Sequence, residues 1–536
     1  MHRPSDQPPV TMSTRITLWL IALVYAAFTL AHWSVGYIDF GDGNYMYISK
    51  RIADGAVLYR DILAPQPPCH LMVGALIVKI SRLCGAEHSL YFFRGFSLLL
   101  QVATFFLLVT LARKTWGRMS IAILAGLIYL WLPIGFWWAL GYQSEPLEIF
   151  LLLAMMTAAL RATRGGDIMA GLFAALAALT NATAAPFLLV LMIFMLVQAP
   201  RRALRMALPC LVLAITVTVG MELWTGGHFL ENVVFNQIGT FPFDHPDGFA
   251  HYAVFDKLLP QGTKILAYEG AFLFLGLIGT WRYFRESPLD PIHRGGLGYF
   301  FIVTLGSLIY VTKGGTVDYI FCLSEPAVAI LAAGELRAWL NRWRHPDPTE
   351  SHSTNFLGAK LVATLLLALF ALGPGLVFHA RLLNEQAYEL DSEGVRRIRH
   401  IIQKHSASDE PILAPPYYAF LSDRRLWGDY SELYIWTMSY YADRRADRPE
   451  GPGWTKIRQL VQALERGQLP LVILEMDQTG RIPEVMDALR QTYVPIQPGE
   501  GYIFRTLNTR LGFFRPKLSG QQTGTTRRWR EFFGAL

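Results

Sequence analysis

Long apolar runs separated by short polar loops make up most of the first 380 residues. A helix that crosses the ~30 Å hydrocarbon core of a membrane needs about 20 mostly apolar residues. The runs that come near this length lie at 15–35, 92–112, 119–138, 146–161, 167–181, 183–199, 204–223, 265–281, 296–312, 318–340 and 357–379. The pattern therefore predicts an all-α polytopic membrane domain with about 11 transmembrane helices.

Basic residues concentrate in alternate loops between these runs. They are Arg113, Lys114 and Arg118; Arg161 and Arg164; Arg201, Arg202 and Arg205; Arg282, Arg285 and Arg294; and Arg337, Arg342 and Arg344. The positive-inside rule places such loops in the cytoplasm. We therefore expect a multi-pass protein of a bacterial inner membrane, with its N-terminus in the cytoplasm and the first run retained as a span.

The remaining loops are poor in basic residues and should share the opposite, periplasmic face. They are a first outer loop at 36–91, the turn at 141–148, the turn at Asn181, a second outer loop at 224–264 and the turn at Lys313. Within the first loop, the apolar segment 69–83 is too short to span and is predicted to be a re-entrant or interfacial helix. If it crossed the membrane, every basic loop would face outward.

After about residue 385 the apolar runs give way to alternating short helices and strands. Helical spacing occurs at 395–404, 455–465 and 483–490, and apolar strand patterns occur at 411–414, at 471–475 and in a final strand pair around 493 and 502–504. Residues 1–384 thus form the membrane domain and 385–508 a small extracytoplasmic α/β domain. Residues 509–536 are predicted to be a basic, aromatic tail that is disordered or lies along lipid headgroups.

The composition supports a membrane protein and argues against other classes. The chain is 52% hydrophobic and 17% charged, whereas soluble domains carry about 25% charged residues. The net charge of +7 is explained by the basic loops, so no nucleic-acid partner is expected. The four cysteines show no CxxC spacing, and they predict neither a disulfide framework nor a zinc site.

Acidic residues at the ends of two predicted spans are the first candidates for chemistry. Asp39 and Asp42 follow the first span, and Glu145 precedes the fourth. Charged groups at a membrane boundary are costly, which makes them functional candidates. The alternatives are that the two aspartates are merely solvated and that Glu145 favours the helix start through the helix dipole.

A third candidate is Lys313, which lies in a turn before Gly314 and Gly315. A lysine there provides a point charge for a lipid phosphate, or it anchors the helix by snorkelling. A divalent cation is an open alternative in the second outer loop, although the spacing of its candidate ligands fits no known site and an acceptor-facing or solvated loop is the favoured explanation. Those candidates are His228, Glu231, Asp244, His245, Asp247 and His251.

The order and common face of these motifs resemble the GT-C superfamily of polyprenyl-phosphate-sugar glycosyltransferases. The resemblance covers about residues 15–340 and is closest to the protein O-mannosyltransferase and lipid A aminoarabinose transferase branch. The matching positions are Asp42 with the helix at 45–53, Gln66-Pro67-Pro68, Glu145-Pro146, Lys313-Gly314, Tyr319 and Pro326. The chain departs from the family where Asp39 and Asp42 are not adjacent and where Gln66 replaces a lysine.

The resemblance implies inverting transfer of a sugar from a polyprenyl-phosphate donor to an acceptor hydroxyl of a glycan, lipid or protein. Asp42 is then the general base, with Asp39 as its alternative, and Glu145 orients the acceptor or holds the hydrogen-bond network of Asp42. The implied donor-phosphate residues are Lys313, Arg94 and Tyr319, and the implied acceptor or sugar residues are Asn44, Tyr45, Gln143 and Trp138. For Trp138 a place in the aromatic belt at the membrane interface is the competing interpretation.

Two other functions compete with a transferase. Transporters and flippases usually show inverted repeats and charges at mid-span, whereas the sequence shows no internal repeat and nearly no charges at mid-span. A structural subunit acting through its C-terminal domain is the other alternative. The sequence identifies neither the sugar, the acceptor nor the oligomeric state.

Overall fold

The structure is a computed structural model, and its description covers fourteen stretches of the chain. They are residues 10–31, 40–85, 89–235, 259–305, 318–344, 369–380, 393–428, 431, 433–445, 447–476, 479–496, 504–506, 509–517 and 528–529.

Helices form the whole of the described region before residue 381, apart from the connecting turns. They are α1 Met12–Ala31, α2 Phe40–Ala53, α3 Pro68–Leu83, α4 Leu90–Trp116, α5 Met119–Trp131, α6 Pro133–Leu140, α7 Ser144–Ala159, α8 Arg164–Thr180, α9 Ala184–Gln198, α10 Pro200–Thr225, α11 His228–Leu230, α12 Leu259–Glu286, α13 Pro291–Leu305, α14 Glu325–Arg344 and α15 Leu369–Ala380. Each predicted span overlaps one of these helices, and the 69–83 segment is helix α3.

Length and composition identify a subset of these helices as membrane spans. Four described helices are long and apolar enough to cross a membrane, and a fifth span exists if the bent pair α5–α6 is counted as one. Their exposed faces carry large apolar side chains such as Leu20, Leu211 and Phe274. This surface is what contact with lipid requires, so the chain is a multi-pass membrane protein.

Two of the basic loops, at 161–164 and 201–205, meet at one end of the helix bundle. Asp167, at the start of α8, is fully buried and accepts ion pairs from Arg202 at 2.9 Å and Arg205 at 2.8 Å. Arg202 also donates to the carbonyl of Ala159 at the end of α7. Helices α7 and α8 run from here to the opposite end, where Ser144 and Asn181 lie 3.2 Å apart. For α7 and α8, the basic loop at 161–164 and the turns at 141–148 and Asn181 thus lie at opposite helix ends.

The predicted span at 119–138 is wrong in one respect, because it is broken. Helices α5 and α6 meet at Leu132 with a bend of 61°. Pro133 begins α6 and has no N–H to continue the hydrogen bonding of α5. The first free amides of α6 are bound by buried carboxylates from other helices, with Ile134 donating to Glu269 at 3.0 Å and Gly135 to Glu325 at 2.6 Å.

The C-terminal region is a small mixed domain. Its helices are α16 Glu393–His405, α17 Pro416–Leu421, α18 Leu433–Arg445, α19 Pro452–Glu465 and α20 Pro483–Thr492, and its strands are β1 Val472–Glu475, β2 Tyr493–Pro495, β3 Phe504–Thr506 and β4 Thr509–Pro516. Strand β4 is central, and the other three strands all pair with it in antiparallel orientation.

Three sequence-based expectations for this domain are wrong. The predicted tail from 509 begins with β4, and Trp529 stacks on Phe514 with ring centroids 5.4 Å apart. The predicted strands near 493 and 502–504 pair with β4 rather than with each other. Residues 411–414 make only single bridges. The first two errors have one physical reason, because β4 supplies the missing partner while its arginines hide a strand whose inward side chains are apolar. Residues 411–414 instead form one bridge to Leu426 and one to Val472 of β1, too few for a strand.

The hydrogen bond from Gly135 to Glu325 at the α5–α6 break leads to a prediction about stability. Replacing Glu325 by alanine leaves the Gly135 amide buried without this acceptor, which costs about 1–3 kcal/mol. We expect Glu325→Ala to lower the midpoint of thermal unfolding in detergent. Glu325→Gln keeps an acceptor oxygen and is the matched control, with a much smaller expected shift. Equal midpoints for the two variants would contradict this role of the carboxylate.

Candidate active site

Helix α2 carries the first acidic candidate. The structure places Asp42 in its first turn, followed by the buried residues Asn44 and Tyr45. The α2 helix lies along α3, where the hydroxyl of Ser49 donates to the carbonyl of Leu71 at 3.3 Å. Asp39 and Lys313 lie outside the described residues, so their assigned roles remain predictions.

The start of α3 connects α2 to the turn before α7. His70 lies between two tyrosine rings, stacked on Tyr142 at 4.1 Å and edge-on to Tyr45 at 5.0 Å. The hydroxyl of Tyr142 also donates to the carbonyl of His70 at 2.7 Å. These contacts bring the 141–148 turn against the helix that lies beside α2. The segment predicted to be re-entrant is therefore the element that joins the two acidic motifs.

The turn is also held from α4. The guanidinium of Arg94 donates to the carbonyl of Leu140, and the hydroxyl of Ser97 donates to the carbonyl of Gly141 at 2.8 Å. Both side chains are buried. The end of α6 thus receives donors for carbonyls that a helix end leaves without partners. Arg94, predicted from the resemblance to bind the donor phosphate, has a structural contact at this point.

Glu145 lies in a polar pocket at the start of α7. Only 4% of its surface is exposed, and the side-chain amide of Asn181 donates to its carboxylate at 3.1 Å and to Ser144 at 3.2 Å. One turn further, the hydroxyl of Thr183 donates to the fully buried Glu148 at 2.8 Å. Gln143, the residue before α7, is buried as well. Two carboxylates therefore face a polar α8–α9 turn.

Sequence reasoning missed four residues of this site: His70, Tyr142, Asn181 and Thr183. Only Asn181 and Thr183 left a usable signal, because they occupy the turn between two predicted spans on the face predicted for Glu145. An amide and a hydroxyl in so short a turn are positioned to meet the start of a neighbouring helix. The stacking of His70 on Tyr142 depends on the three-dimensional path of α3 and has no local sequence pattern.

The remaining candidates are less central. Trp138 is buried in α6 within the apolar core, and Tyr319 lies in the short 3₁₀ helix Asp318–Leu323. Gln66 lies in the loop before α3, and its carbonyl accepts a hydrogen bond from the hydroxyl of Tyr59 at 2.7 Å. This contact fixes the chain just before Pro67 and Pro68, at the start of α3.

The described residues contain no group of three or more histidine, cysteine, aspartate or glutamate side chains arranged to hold a metal ion. His228 and Glu231 form a pair at 3.2 Å. The other four residues predicted as alternative cation ligands (Asp244, His245, Asp247 and His251) lie outside the described ranges.

Solved structures with the same arrangement of helices decide the fold. The chain is similar to ArnT from Cupriavidus metallidurans bound to undecaprenyl phosphate, with a TM-score of 0.62 and 15% identity over 93% of this chain and 97% of that chain. It is also similar to the oligosaccharyltransferase AglB from Archaeoglobus fulgidus (TM-score 0.52, 12% identity, 94% and 77% covered). The arabinofuranosyltransferase AftD from Mycobacteria gives a TM-score of 0.52 and 14% identity, with 96% of this chain and 40% of that chain covered.

The chain has the GT-C fold. The resemblance inferred from its sequence motifs is thereby confirmed at the level of the fold. Neither a model of a protein family nor a curated protein sequence matches the chain. At 15% identity or below, the GT-C structures establish the architecture and leave the chemistry to be argued from this chain's residues.

Arg94 has two candidate roles, which are to hold the turn at the end of α6 and to bind the donor phosphate, and one substitution distinguishes them. If it holds the turn, Arg94→Ala removes a buried charged hydrogen bond, worth about 1.5–3 kcal/mol, and lowers the midpoint of thermal unfolding. We expect this loss with or without added undecaprenyl phosphate.

The matched control is Arg60→Ala, because Arg60 is half-exposed and pairs with its neighbour Asp61. Such pairs contribute little to stability. An unchanged midpoint for Arg94→Ala, together with weaker lipid binding, would assign Arg94 to the donor phosphate instead.

Proposed function

We propose that this protein is a glycosyltransferase that moves a sugar from a polyprenyl-phosphate donor to an acceptor hydroxyl. One observation carries the proposal. In a GT-C fold, the turn that leads to a buried glutamate bound by an asparagine (Glu145 with Asn181) is joined to the helix of the Asp42 motif through His70 of α3. The reaction would take place on the periplasmic face of a bacterial inner membrane, where the outward loops are expected.

The donor provides an activated leaving group. The phosphate departs with its charge already formed, so it needs cationic stabilisation rather than a strong acid. We assign this role to Lys313, with Tyr319 nearby in the chain and Arg94 as a further candidate. ArnT was solved with undecaprenyl phosphate and AglB with a dolichol phosphate, which supports a lipid phosphate of this kind as the donor's carrier.

The acceptor hydroxyl must lose a proton while it attacks the anomeric carbon. Asp42 is proposed as the general base, and direct displacement of the phosphate inverts the configuration at that carbon. Glu145 would orient the acceptor, because Asn181 fixes its carboxylate. Asp39 is the alternative base, since it also follows the first span in the sequence.

The remaining proposed contacts are polar or aromatic groups close to the two acids in sequence. Asn44 and Tyr45 follow the base on α2, Gln143 precedes Glu145, and Trp138 lies on α6. They are candidates for the acceptor and for the sugar ring. A divalent cation near the leaving phosphate stays an alternative to Lys313, and the fold leaves the sugar and the acceptor undetermined.

Replacing the proposed base tests the reaction directly. Asp42→Asn removes proton abstraction while preserving side-chain size, and general bases typically contribute about 10²–10⁴-fold to rate. We expect transfer from a radiolabelled polyprenyl-phosphate sugar to fall by at least about 10²-fold, with unchanged membrane insertion. Asp61→Asn, in the same loop but half-exposed and paired with Arg60, is the control. Full activity of Asp42→Asn with an inactive Asp39→Asn would move the base to Asp39.

The donor-phosphate role of Lys313 predicts a different kinetic change. Lys313→Ala removes the proposed charge at the phosphate, so the KM for the donor should rise by about tenfold or more, which is about 1.4 kcal/mol of lost binding. Lys313→Arg keeps the charge and should retain most of the affinity. Donor KM values that are the same in all three proteins would exclude Lys313 from the site.

A further inference from the structure

One face of helix α2 contacts the C-terminal domain. Gly43, Tyr47, Lys50 and Asp54 recur at intervals of four and three residues, which places them on one side of a helix. The segment that meets this side is 415–427, which includes helix α17; we call it the docking segment. We call these four residues the stripe, and its first residue, Gly43, comes directly after Asp42.

The contacts along this face are specific. The amide of Leu426 donates to the hydroxyl of the buried Tyr47 at 2.7 Å. Lys50 forms ion pairs at 2.9 Å with both Asp423 of the docking segment and Asp54, the residue that follows α2. Burial alone would raise the pKa of Asp54, but hydrogen bonds from Lys50 and Arg82 lower it below the usual value, so Asp54 connects the stripe to α3 as a carboxylate.

The closest approach occurs beside the proposed base. A Cβ placed on Gly43 would lie 2.5 Å from the Cβ of Tyr417, far inside contact distance. Only glycine therefore lets the first turn of α2 lie this close to helix α17. The backbone next to Asp42 is in direct contact with the C-terminal domain.

Helix α2 cannot hold this position by its own stability. It has 14 residues and contains glycines at 41 and 43, and each glycine costs about 1 kcal/mol relative to alanine in a helix. Isolated helices of about this length are marginal in water. Its geometry must come from the two surfaces that enclose it, α3 on one side and the docking segment on the other.

The docking segment is itself anchored to the membrane domain. Phe420 packs edge-on to Phe93 of α4, with ring centroids 6.1 Å apart. Nearby, the hydroxyl of Ser431 donates to the carbonyl of Leu63 at 3.2 Å. One apolar core joins the first loop, α4 and the C-terminal domain. The docking segment is therefore a fixed support for α2.

We infer that the docking segment positions Asp42, with Tyr417, Asp423 and Leu426 acting through Gly43, Lys50 and Tyr47 as positioning residues. The C-terminal domain is then a required part of the reaction centre although it supplies no group that reacts. This inference rests on the proposed function, because the position of α2 matters for the reaction only if Asp42 is the general base.

The first experiment displaces helix α2, which carries Asp42, and then restores its position. Gly43→Ala in the full-length chain forces α2 away from Tyr417, so kcat should fall by about tenfold or more while the donor KM stays within about twofold. Adding Tyr417→Gly removes the opposing Cβ and should recover most of the lost kcat. Gly220→Ala is the control, since no atom lies within 4 Å of the added Cβ.

A wild-type kcat for Gly43→Ala would overturn the inference. A low kcat that Tyr417→Gly does not improve would also overturn it, because the defect would then come from the helix alone.

The second experiment measures how firmly α2 is held and does not depend on catalytic activity. Tyr47→Phe removes the acceptor for the Leu426 amide, and amide hydrogen exchange in α2 should become about tenfold faster or more. Tyr440→Phe is the control: it removes a hydroxyl that donates to Glu484 within the C-terminal domain, and it should leave α2 unchanged.

Unchanged exchange in α2 for Tyr47→Phe would refute the support by the docking segment. If the unsubstituted protein transfers no sugar, the proposed function fails, whereas the exchange result still decides whether the docking segment holds α2.

Discussion

The structure depends on satisfying backbone hydrogen bonds where membrane helices are interrupted. Water is absent from the hydrocarbon core, so every free amide or carbonyl there needs a partner from the protein. At the α5–α6 break, Glu269 and Glu325 accept the first amides of α6, and Arg94 and Ser97 donate to the carbonyls at its other end. An eight-residue helix is thereby fixed at both ends, and the polypeptide that leaves it leads directly to Glu145.

This constraint explains why the candidate site lies at a junction of several helices. Polar side chains that stabilise interrupted backbone also create a polar region, which is where the proposed reaction would bring the donor and the acceptor together. Glu145, Asn181 and Thr183 belong to that region. The GT-C architecture is retained at 15% identity to ArnT, which shows that the helix arrangement tolerates replacement of most side chains.

The sequence predicted those features that depend on local composition. Apolar length located the helices, and for α8 the distribution of arginines distinguished its two ends, with the Asp167–Arg202 pair at one and the Asn181–Glu145 contact at the other. The bend at Pro133 was missed because the surrounding residues are apolar enough for one continuous span, and the carboxylates that permit it come from distant helices.

Strand β4 was missed for a related reason. Its arginines and its position after a long polar stretch are typical of a solvated tail, whereas the side chains of Leu511, Phe513 and Phe514 are buried in the domain core. Pairing partners that lie far apart in sequence give no periodic signal of their own. The contact of Gly43 with Tyr417 is of the same kind, since the two residues are separated by most of the chain.

The central place of β4 also has a consequence for biosynthesis. The other three strands are made first but share β4 as their common partner, so the sheet cannot form until residue 516 has left the ribosome. Helix α2 is synthesised more than 350 residues before the docking segment that supports it, and long-range contacts of this type form slowly. The membrane helices are therefore synthesised while the acidic motif still lacks its contact with the C-terminal domain, and this contact is added afterwards.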